Sequence, residues 1–229
     1  MTLLTRVGLS LTLVAAASPG GALSAQTAAI RPARTDSGTF VIRRAGDTVA
    51  TERFTRTATT LQGTVTIRNA RNTSQAYEAV VAPDGSVVLI QVTVREDMDS
   101  GRVAGKVVQR ARVIFRGDSA AVDDITSKGM QTRIFGTAHG AMPYLHLSFA
   151  LLEQAIMRAR AASPRTTQAP FFNLGGGQTL DARLSPLGGD SLAVTIGSVA
   201  FHLRVDPAGR VLGGSIPAQN VIAERTSGS

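Results

Sequence analysis

Histidine and aspartate are the first candidates for chemistry, because an imidazole beside a carboxylate can act as a general base or bind a metal. Of the three histidines, only His139 lies in a loop-like stretch, GTAHG at residues 136–140. A hydrolase would need Asp123 or Asp124 to converge with it in a cleft. These aspartates are adjacent in a predicted strand and point to opposite faces, so they form a poor pair. The chain also lacks G-x-S-x-G, and we predict no catalytic residue.

Metal and cofactor signals are equally weak. The chain has no cysteine, which excludes thiolate nucleophiles, Cys-type zinc sites and disulfides. A D-x-D-x-G segment at residues 97–101 could supply calcium ligands, but Val108 stands where a bidentate glutamate is needed. The glycines at 175–177 are followed by neither Lys-Ser nor Lys-Thr, so they are not a phosphate loop. We predict no metal and no cofactor.

The charge of +8 comes from 24 basic and 16 acidic residues, and all the basic residues except Lys106 and Lys128 are arginine. Arg110, Arg112 and Arg116 share one face of a predicted strand. Aromatic residues make up only 4% of the chain and are not interleaved with these arginines, which argues against nucleic-acid binding. We expect these arginines to form a solvated strand face. Its positive charge would attract anionic lipid headgroups or acidic envelope polymers.

The N-terminus has the layout of a secretory signal peptide at residues 1–25: one early cation, an apolar run at 7–17 and small residues after a Pro-Gly-Gly break. Cleavage is expected after Ser24 or Ala25. The apolar run is shorter than the roughly 20 residues that span a bilayer, although an N-terminal anchor helix is the alternative. We therefore expect a bacterial periplasmic or secreted protein whose mature chain does not span the membrane and begins with a flexible leader at 26–37.

Alternating apolar and polar residues predict half-buried antiparallel strands through most of the remaining chain. Leu61, Val65 and Ile67 share one face, and Val88, Ile90, Val92 and Val94 share a face of a later strand. Turn sequences such as PDG at 83–85 separate these runs at intervals of about ten residues, which is typical of an up-and-down meander.

One segment, residues 144–160, has helical periodicity instead. Leu145, Phe149, Leu152 and Ile156 form its apolar stripe, whereas His146, Glu153 and Arg160 are predicted to mark the polar face. A connector rich in Pro, Gly and Thr follows at 163–177. The whole order predicts a mainly β fold with one long helix, in which a curved antiparallel meander (a half-barrel or open barrel) packs on the helix. We expect a single β-rich domain at 38–226, with two β modules joined by the helix as the alternative.

The opening hairpin at 38–54, GTFVIRRAGDTVATERF, resembles the start of uncharacterised exported bacterial β proteins, in which a strand ending in Glu-x-Phe begins a long meander. The overall order of elements is similar to that of periplasmic lipoprotein carriers of the LolA/LolB type. This resemblance implies a half-barrel sheet and a helical lid around an acyl-binding cavity, although this chain has one main helix where such carriers have more.

These observations favour a non-catalytic envelope protein that binds a lipid-like or hydrophobic ligand between sheet and helix. The residues predicted to line the site are Leu145, Phe149, Leu152, Ile156, Phe171 and Phe172. The same side chains could simply fill the core, which is the stronger expectation for apolar residues at helical spacing. A structural module that binds an envelope protein through an exposed strand edge is the second hypothesis, and a hydrolase using His139 is the third.

Overall fold

The computed structural model describes residues 35–68, 72–96, 105–163 and 167–227. The predicted signal peptide, the leader up to residue 34 and the D-x-D-x-G segment lie outside these ranges. Before the helix, the strands β1 to β9 are Asp36–Arg44, Asp47–Arg56, Thr60–Ile67, Thr73–Val81, Val87–Glu96, Lys106–Arg116, Ser119–Thr126, Gly129–Gly136 and Met142–Tyr144. After helix α1, Phe149–Ala162, the strands β10 to β15 are Gln168–Asn173, Thr179–Gly188, Ser191–Ile196, Val199–Val205, Val211–Ile216 and Val221–Ser227.

All fifteen strands belong to one sheet. The strands from β8 back to β1 form one half, those from β15 back to β9 form the other, and β1 pairs with β15 at the junction. Every neighbouring pair is antiparallel except β9 and β10, which are parallel. The sheet is curved and remains open rather than closing into a barrel. The predicted fold class, a curved antiparallel meander with one helix, is confirmed.

Helix α1 begins at Phe149, five residues later than the sequence predicts. Pro143 lies instead in β9, which pairs with β10. Leu147 has a φ of 62°, a left-handed conformation that does not propagate a helix. Ser148 then caps the helix, and its Oγ accepts a hydrogen bond of 3.3 Å from the Leu151 N–H. The apolar periodicity at 144–148 therefore belongs to a strand and a turn.

Two other boundaries also differ from the sequence prediction. Strand β10 occupies the middle of the predicted connector at 163–177, where Phe171 pairs with Leu180 on one side and Met142 on the other. Strand β1 includes Asp36 and Ser37, which were assigned to the flexible leader. Asp36 is held there because its carboxylate accepts hydrogen bonds from Arg56 and Arg225.

The core lies between α1 and the inner face of the sheet. Eight consecutive helix residues, from Phe149 to Ile156, are buried, as the wide apolar arc of the sequence suggests. Glu153 was predicted on a polar face, but its exposed fraction is 0%. Val88 was predicted on the inner face, yet it is exposed while Val87 is buried, because the β4–β5 pairing shifts register at Val80/Val81.

Candidate functional site

The six predicted lining residues are all buried. Phe149 packs against Phe40 and Phe201, with ring centroids 5.5 and 6.4 Å apart. Phe172 contacts Phe115 and Phe135, each at 5.8 Å. Leu152, Ile156 and Phe171 likewise lie within the hydrophobic cluster between helix and sheet. Among the six, Leu145 is the residue that lines a described pocket.

This pocket, which we call the inner pocket, has a volume of about 130 Å³. Its floor is the inner face of β4, β5 and β6, and its wall is formed by Leu145 after β9 and by the turn after β10. The lining residues are Gln75, Val92, Val94, Gln109, Ala111, Val113, Leu145, Leu174 and Gly175. Six of these nine are apolar side chains, so the pocket suits a hydrophobic group.

Two amide side chains give the inner pocket polar character. The Gln75 Oε1 atom is buried and has no hydrogen-bond partner among the described residues. A buried acceptor without a partner costs about 1–3 kcal/mol, so a donor on a bound molecule would be stabilised there. Gln109 is more exposed, and its Nε2 donates a hydrogen bond of 3.0 Å to Asp124 Oδ1. Gln109 and Gly175, both exposed, lie where the pocket opens to solvent.

Larger hollows exist on the outer face of the sheet. One of about 470 Å³ lies over β2 to β5, and its exposed lining side chains are polar, including Arg53, Gln62 and Glu78. Another of about 510 Å³ lies over β13 to β15. Both are shallow and open to solvent. A ligand site normally encloses most of its ligand in apolar surface, so the smaller inner pocket is the better candidate.

A buried carboxyl group of the sheet fixes the start of the helix. Glu52 of β2 accepts hydrogen bonds from the backbone N–H groups of Phe149 and Ala150, at 2.7 and 3.0 Å. It also accepts bonds from the Ser148 and Tyr77 hydroxyls, at 2.6 and 2.7 Å. Burial raises the pKa of the Glu52 carboxyl despite these four donors, and it also raises that of Tyr77. A strand residue thus supplies the acceptor for the first N–H groups of the helix.

A second buried cluster joins the middle of the helix to three strands. The Glu153 carboxylate pairs with Arg56 of β2 and, at 2.8 Å, with Arg225 of β15. It also accepts a hydrogen bond of 2.6 Å from the Val211 N–H of β14. Both arginines contact Asp36, and Arg56 donates to the Ala150 carbonyl at 3.0 Å. Glu153 itself is fully buried, so this cluster holds the middle of the helix against the sheet.

Sequence reasoning missed both clusters, although two signals were present. Ala50, Glu52, Phe54 and Arg56 alternate on one face of β2, so its two charged residues share a face with buried apolar ones. Glu153 lies beside Leu152 and is flanked at helical spacing by Phe149 and Ile156. The Glu-x-Phe of the opening hairpin is Glu52 and Phe54, both of which point inward.

A glycine makes room for the Glu52 cluster. Gly63 of β3 pairs with Tyr77, and a methyl group at Gly63 would overlap the Tyr77 hydroxyl and lie 2.8 Å from the Arg53 carbonyl. We expect Gly63→Ala to lower the free energy of unfolding by about 1–3 kcal/mol through overpacking. Chemical denaturation measures this. Gly136→Ala is the control, because a methyl group there meets nothing within 4 Å. Equal effects at both glycines would contradict the account.

The histidine and aspartates with catalytic chemistry do not converge. His139 lines a cleft of about 190 Å³ with Asp84, Ser86 and Arg158. Asp123 and Asp124 lie at least four residues along β7 from Ser119, the end nearest this cleft, which at ~3.4 Å per residue is about 13 Å or more. Each already has a partner, Thr132 for Asp123 and Gln109 for Asp124. The structure therefore does not bring together the residues that the hydrolase hypothesis requires.

Metal-binding clusters and membrane-spanning helices are both absent from the described residues. They contain no group of three or more His, Asp or Glu side chains placed to hold a metal ion. No helix within the same ranges has the length and apolar character needed to cross a bilayer. Arg110, Arg112 and Arg116 of β6 are exposed, as predicted for a solvated strand face.

Comparison with known proteins identifies the fold. No model of a known protein family matches the chain, and no curated protein matches it. A DUF1089 family protein from Pseudomonas aeruginosa matches in structure with a TM-score of 0.52 and 11% identity, covering 77% of this chain and 93% of that one. The chain shares its β-rich fold. A β-barrel-like protein of domain of unknown function DUF1849 from Brucella abortus matches with a TM-score of 0.50 and 10% identity, covering 87% and 98%.

Both similarities lie far below the identity at which function carries over, so they establish the architecture alone. They agree with the resemblance of this chain to uncharacterised bacterial β proteins. Neither neighbour is described as a lipoprotein carrier, and the resemblance to LolA/LolB-type proteins stays a prediction.

Proposed function

We propose that this chain is an exported, non-catalytic binding protein of the bacterial cell envelope, and that its inner pocket holds the hydrophobic end of a lipid-like ligand. The observation that carries the proposal is the apolar pocket between β4–β6 and Leu145, whose lining residues include Gln75 with its unpartnered Oε1. Apolar side chains with a few convergent polar groups are the usual composition of a ligand site.

The volume limits which part of a ligand enters. An engineered apolar cavity of roughly 150 Å³ stays dry and binds benzene. The inner pocket, at about 130 Å³, therefore suits a group of about that size, such as the end of one acyl chain. The rest of the ligand would extend into solvent between Gln109 and Gly175. A hydroxyl or amide N–H on the ligand would satisfy Gln75.

Export is the second part of the proposal. It rests on the signal-peptide pattern at residues 1–25 and on the absence of cysteine, which suits an exported protein stabilised by its core alone. Expression of the full chain in a Gram-negative host, followed by fractionation and mass measurement, tests it. A periplasmic or secreted product that begins at Ala25 or Gln26 is expected, whereas a full-length product in the cytoplasm would contradict export.

Filling the inner pocket should weaken ligand binding. Ala111 of β6 is half-buried on the pocket floor, and phenylalanine there would occupy the space of the ligand. With decanoic acid as the probe in isothermal titration calorimetry, we expect wild type to bind one molecule. We expect Ala111→Phe to weaken binding at least tenfold, because each methylene group excluded from apolar surface forfeits about 0.8 kcal/mol.

Ala76→Phe is the matched control. Ala76 of β4 is also half-buried, but it lies on the outer face of the sheet. This variant should bind decanoic acid as wild type does. Equal binding by Ala111→Phe and wild type would exclude the inner pocket as the site.

A further inference from the structure

Strand β8 is a free edge of the sheet. It pairs with β7 on one side, and no described strand pairs with it on the other. Its first six residues, Gly129 to Ile134, are all exposed. Ile134 and Met130 are the most exposed large hydrophobic side chains in the described chain, at 77% and 66%. They lie four residues apart and so point to the same face. An unpaired strand edge with apolar side chains is a template for pairing with another chain.

The outer face that leads to this edge carries a row of apolar residues. Across the register of β4 to β8, the residues directly opposite one another are Val80, Leu89, Ile114, Ala121 and Ile134. Four residues from Ile134 along β8, Met130 is opposite Ile125 of β7, which is 42% exposed. Thr132 and Asp123 lie between these two apolar pairs. The face at β8 is therefore apolar at both ends and polar in the middle.

We propose that β8 pairs antiparallel with β8 of a second copy, about a two-fold axis at Thr132. Met130 then lies opposite Ile134 of the other copy, and Thr132 lies opposite its own equivalent. On the inner face, Gln131 lies opposite Arg133, so no residue directly faces a like charge. The pairing places the two most exposed apolar side chains against each other across the two copies and joins the apolar row of one copy to Met130 and Ile125 of the other.

A second copy fits this edge better than an unrelated peptide does, because the sequence of β8 is self-complementary about its centre. Two-fold dimers with the same patch on both subunits are also the commonest protein assemblies. The proposal gives specific form to the hypothesis of binding through a strand edge, and it is independent of the inner pocket. A contact of one strand pair lies at the small end of interface sizes, so a weak, concentration-dependent dimer is expected.

Sedimentation velocity over a wide concentration range tests the proposal. We expect wild type to pass from monomer to dimer with increasing concentration and Ile134→Lys to remain monomeric, since lysine on an edge strand opposes pairing. Ile222→Lys is the matched control. Ile222 is 53% exposed, but it lies on β15, which is paired on both sides. Wild type that remains monomeric throughout, or equal loss of the dimer in both variants, would overturn the proposal.

Cysteine cross-linking gives a second readout that specifies the axis. The chain has no cysteine of its own, so a single introduced thiol reports one contact. Directly opposed cross-strand residues have Cβ atoms about 4.5–5.5 Å apart, near enough for a disulfide after a small adjustment. Oxidised Thr132→Cys should form a covalent dimer, and Ile222→Cys should not. Failure of Thr132→Cys to cross-link where wild type dimerises would place the interface elsewhere and overturn the proposed pairing.

Discussion

Glu153→Ala is expected to lower the free energy of unfolding by about 3–5 kcal/mol, the usual cost of removing one partner of a buried ion pair. The Glu153 side chain has no exposed surface, while those of Arg56 and Arg225 are 7% and 12% exposed. Without the Glu153 carboxylate, the two guanidinium groups have one described carboxylate between them, that of Asp36, which is partly exposed. The Val211 N–H loses its acceptor as well. Equilibrium denaturation in urea measures the effect.

Glu224→Ala is the control for this prediction. Glu224 also pairs with an arginine, Arg43, but the two side chains are 60% and 40% exposed. A surface pair contributes about 0–1 kcal/mol, because water screens it and ordering the side chains costs entropy. A loss at Glu153 no larger than the loss at Glu224 would show that the internal cluster does not hold the helix in place.

Glu52→Ala is expected to destabilise the fold by about 3 kcal/mol or more, since each buried donor left unsatisfied costs about 1–3 kcal/mol. Four donors lose their acceptor: the Phe149 and Ala150 N–H groups and the Ser148 and Tyr77 hydroxyls. Glu52→Gln should cost less, because the amide oxygen can still accept from the helix. Thermal and urea denaturation of both variants would show this order, and a larger loss for Gln than for Ala would contradict it.

The raised pKa of Glu52 implies that the stability of the fold depends on pH in a definite direction. The pKa of Glu52 is raised above its ordinary value of 4.5, chiefly by burial, so the folded state binds the proton more tightly than the unfolded state. The stabilising contribution is therefore complete below pH 4.5 and declines as the pH rises through the folded-state pKa. The difference in unfolding free energy between wild type and Glu52→Gln should therefore change in disfavour of wild type as the pH rises from acidic to neutral. A difference that stays constant, or that moves in the opposite direction, would contradict the burial argument.

Loss of Glu52 should also leave the wall of the inner pocket less firmly held. The carboxylate anchors residues 148–150, three residues after Leu145, and Leu145 forms part of the pocket wall. Glu153 instead anchors the helix one turn further on, against β2, β14 and β15. The two carboxylates thus position different parts of the helix, Glu52 its start and Glu153 its middle.

Local pattern predicted much of the fold. Alternation in β3 and β5, turn sequences such as PDG and the helical stripe at Phe149, Leu152 and Ile156 all reflect short-range rules that hold in the structure. Boundaries were less accurate, because Pro143 and Leu147 belong to a strand and a left-handed turn whose geometry depends on β10. The parallel pairing of β9 with β10 joins residues about thirty positions apart, which no local period encodes.

The candidate site was harder to predict, because apolar residues in a core and in a ligand cavity follow the same pattern. Phe149 and Phe172 fill space between helix and sheet, while Leu145, from the same stripe, borders an opening. The two carboxylate clusters depend on partners that are distant in the sequence, such as Arg56 and Glu153, which are 97 positions apart. Tertiary packing alone decides which polar residue of an inward face finds a partner and which does not.

Native mass spectrometry of the protein purified from the envelope of its host tests the proposed function most directly. The account predicts that wild type carries one hydrophobic molecule, or takes up one decanoic acid, and that Ala76→Phe does the same. Ala111→Phe should appear in the ligand-free form alone. Wild type that never carries or acquires a ligand, or Ala111→Phe that binds as wild type does, would contradict the proposal that the inner pocket binds a hydrophobic ligand.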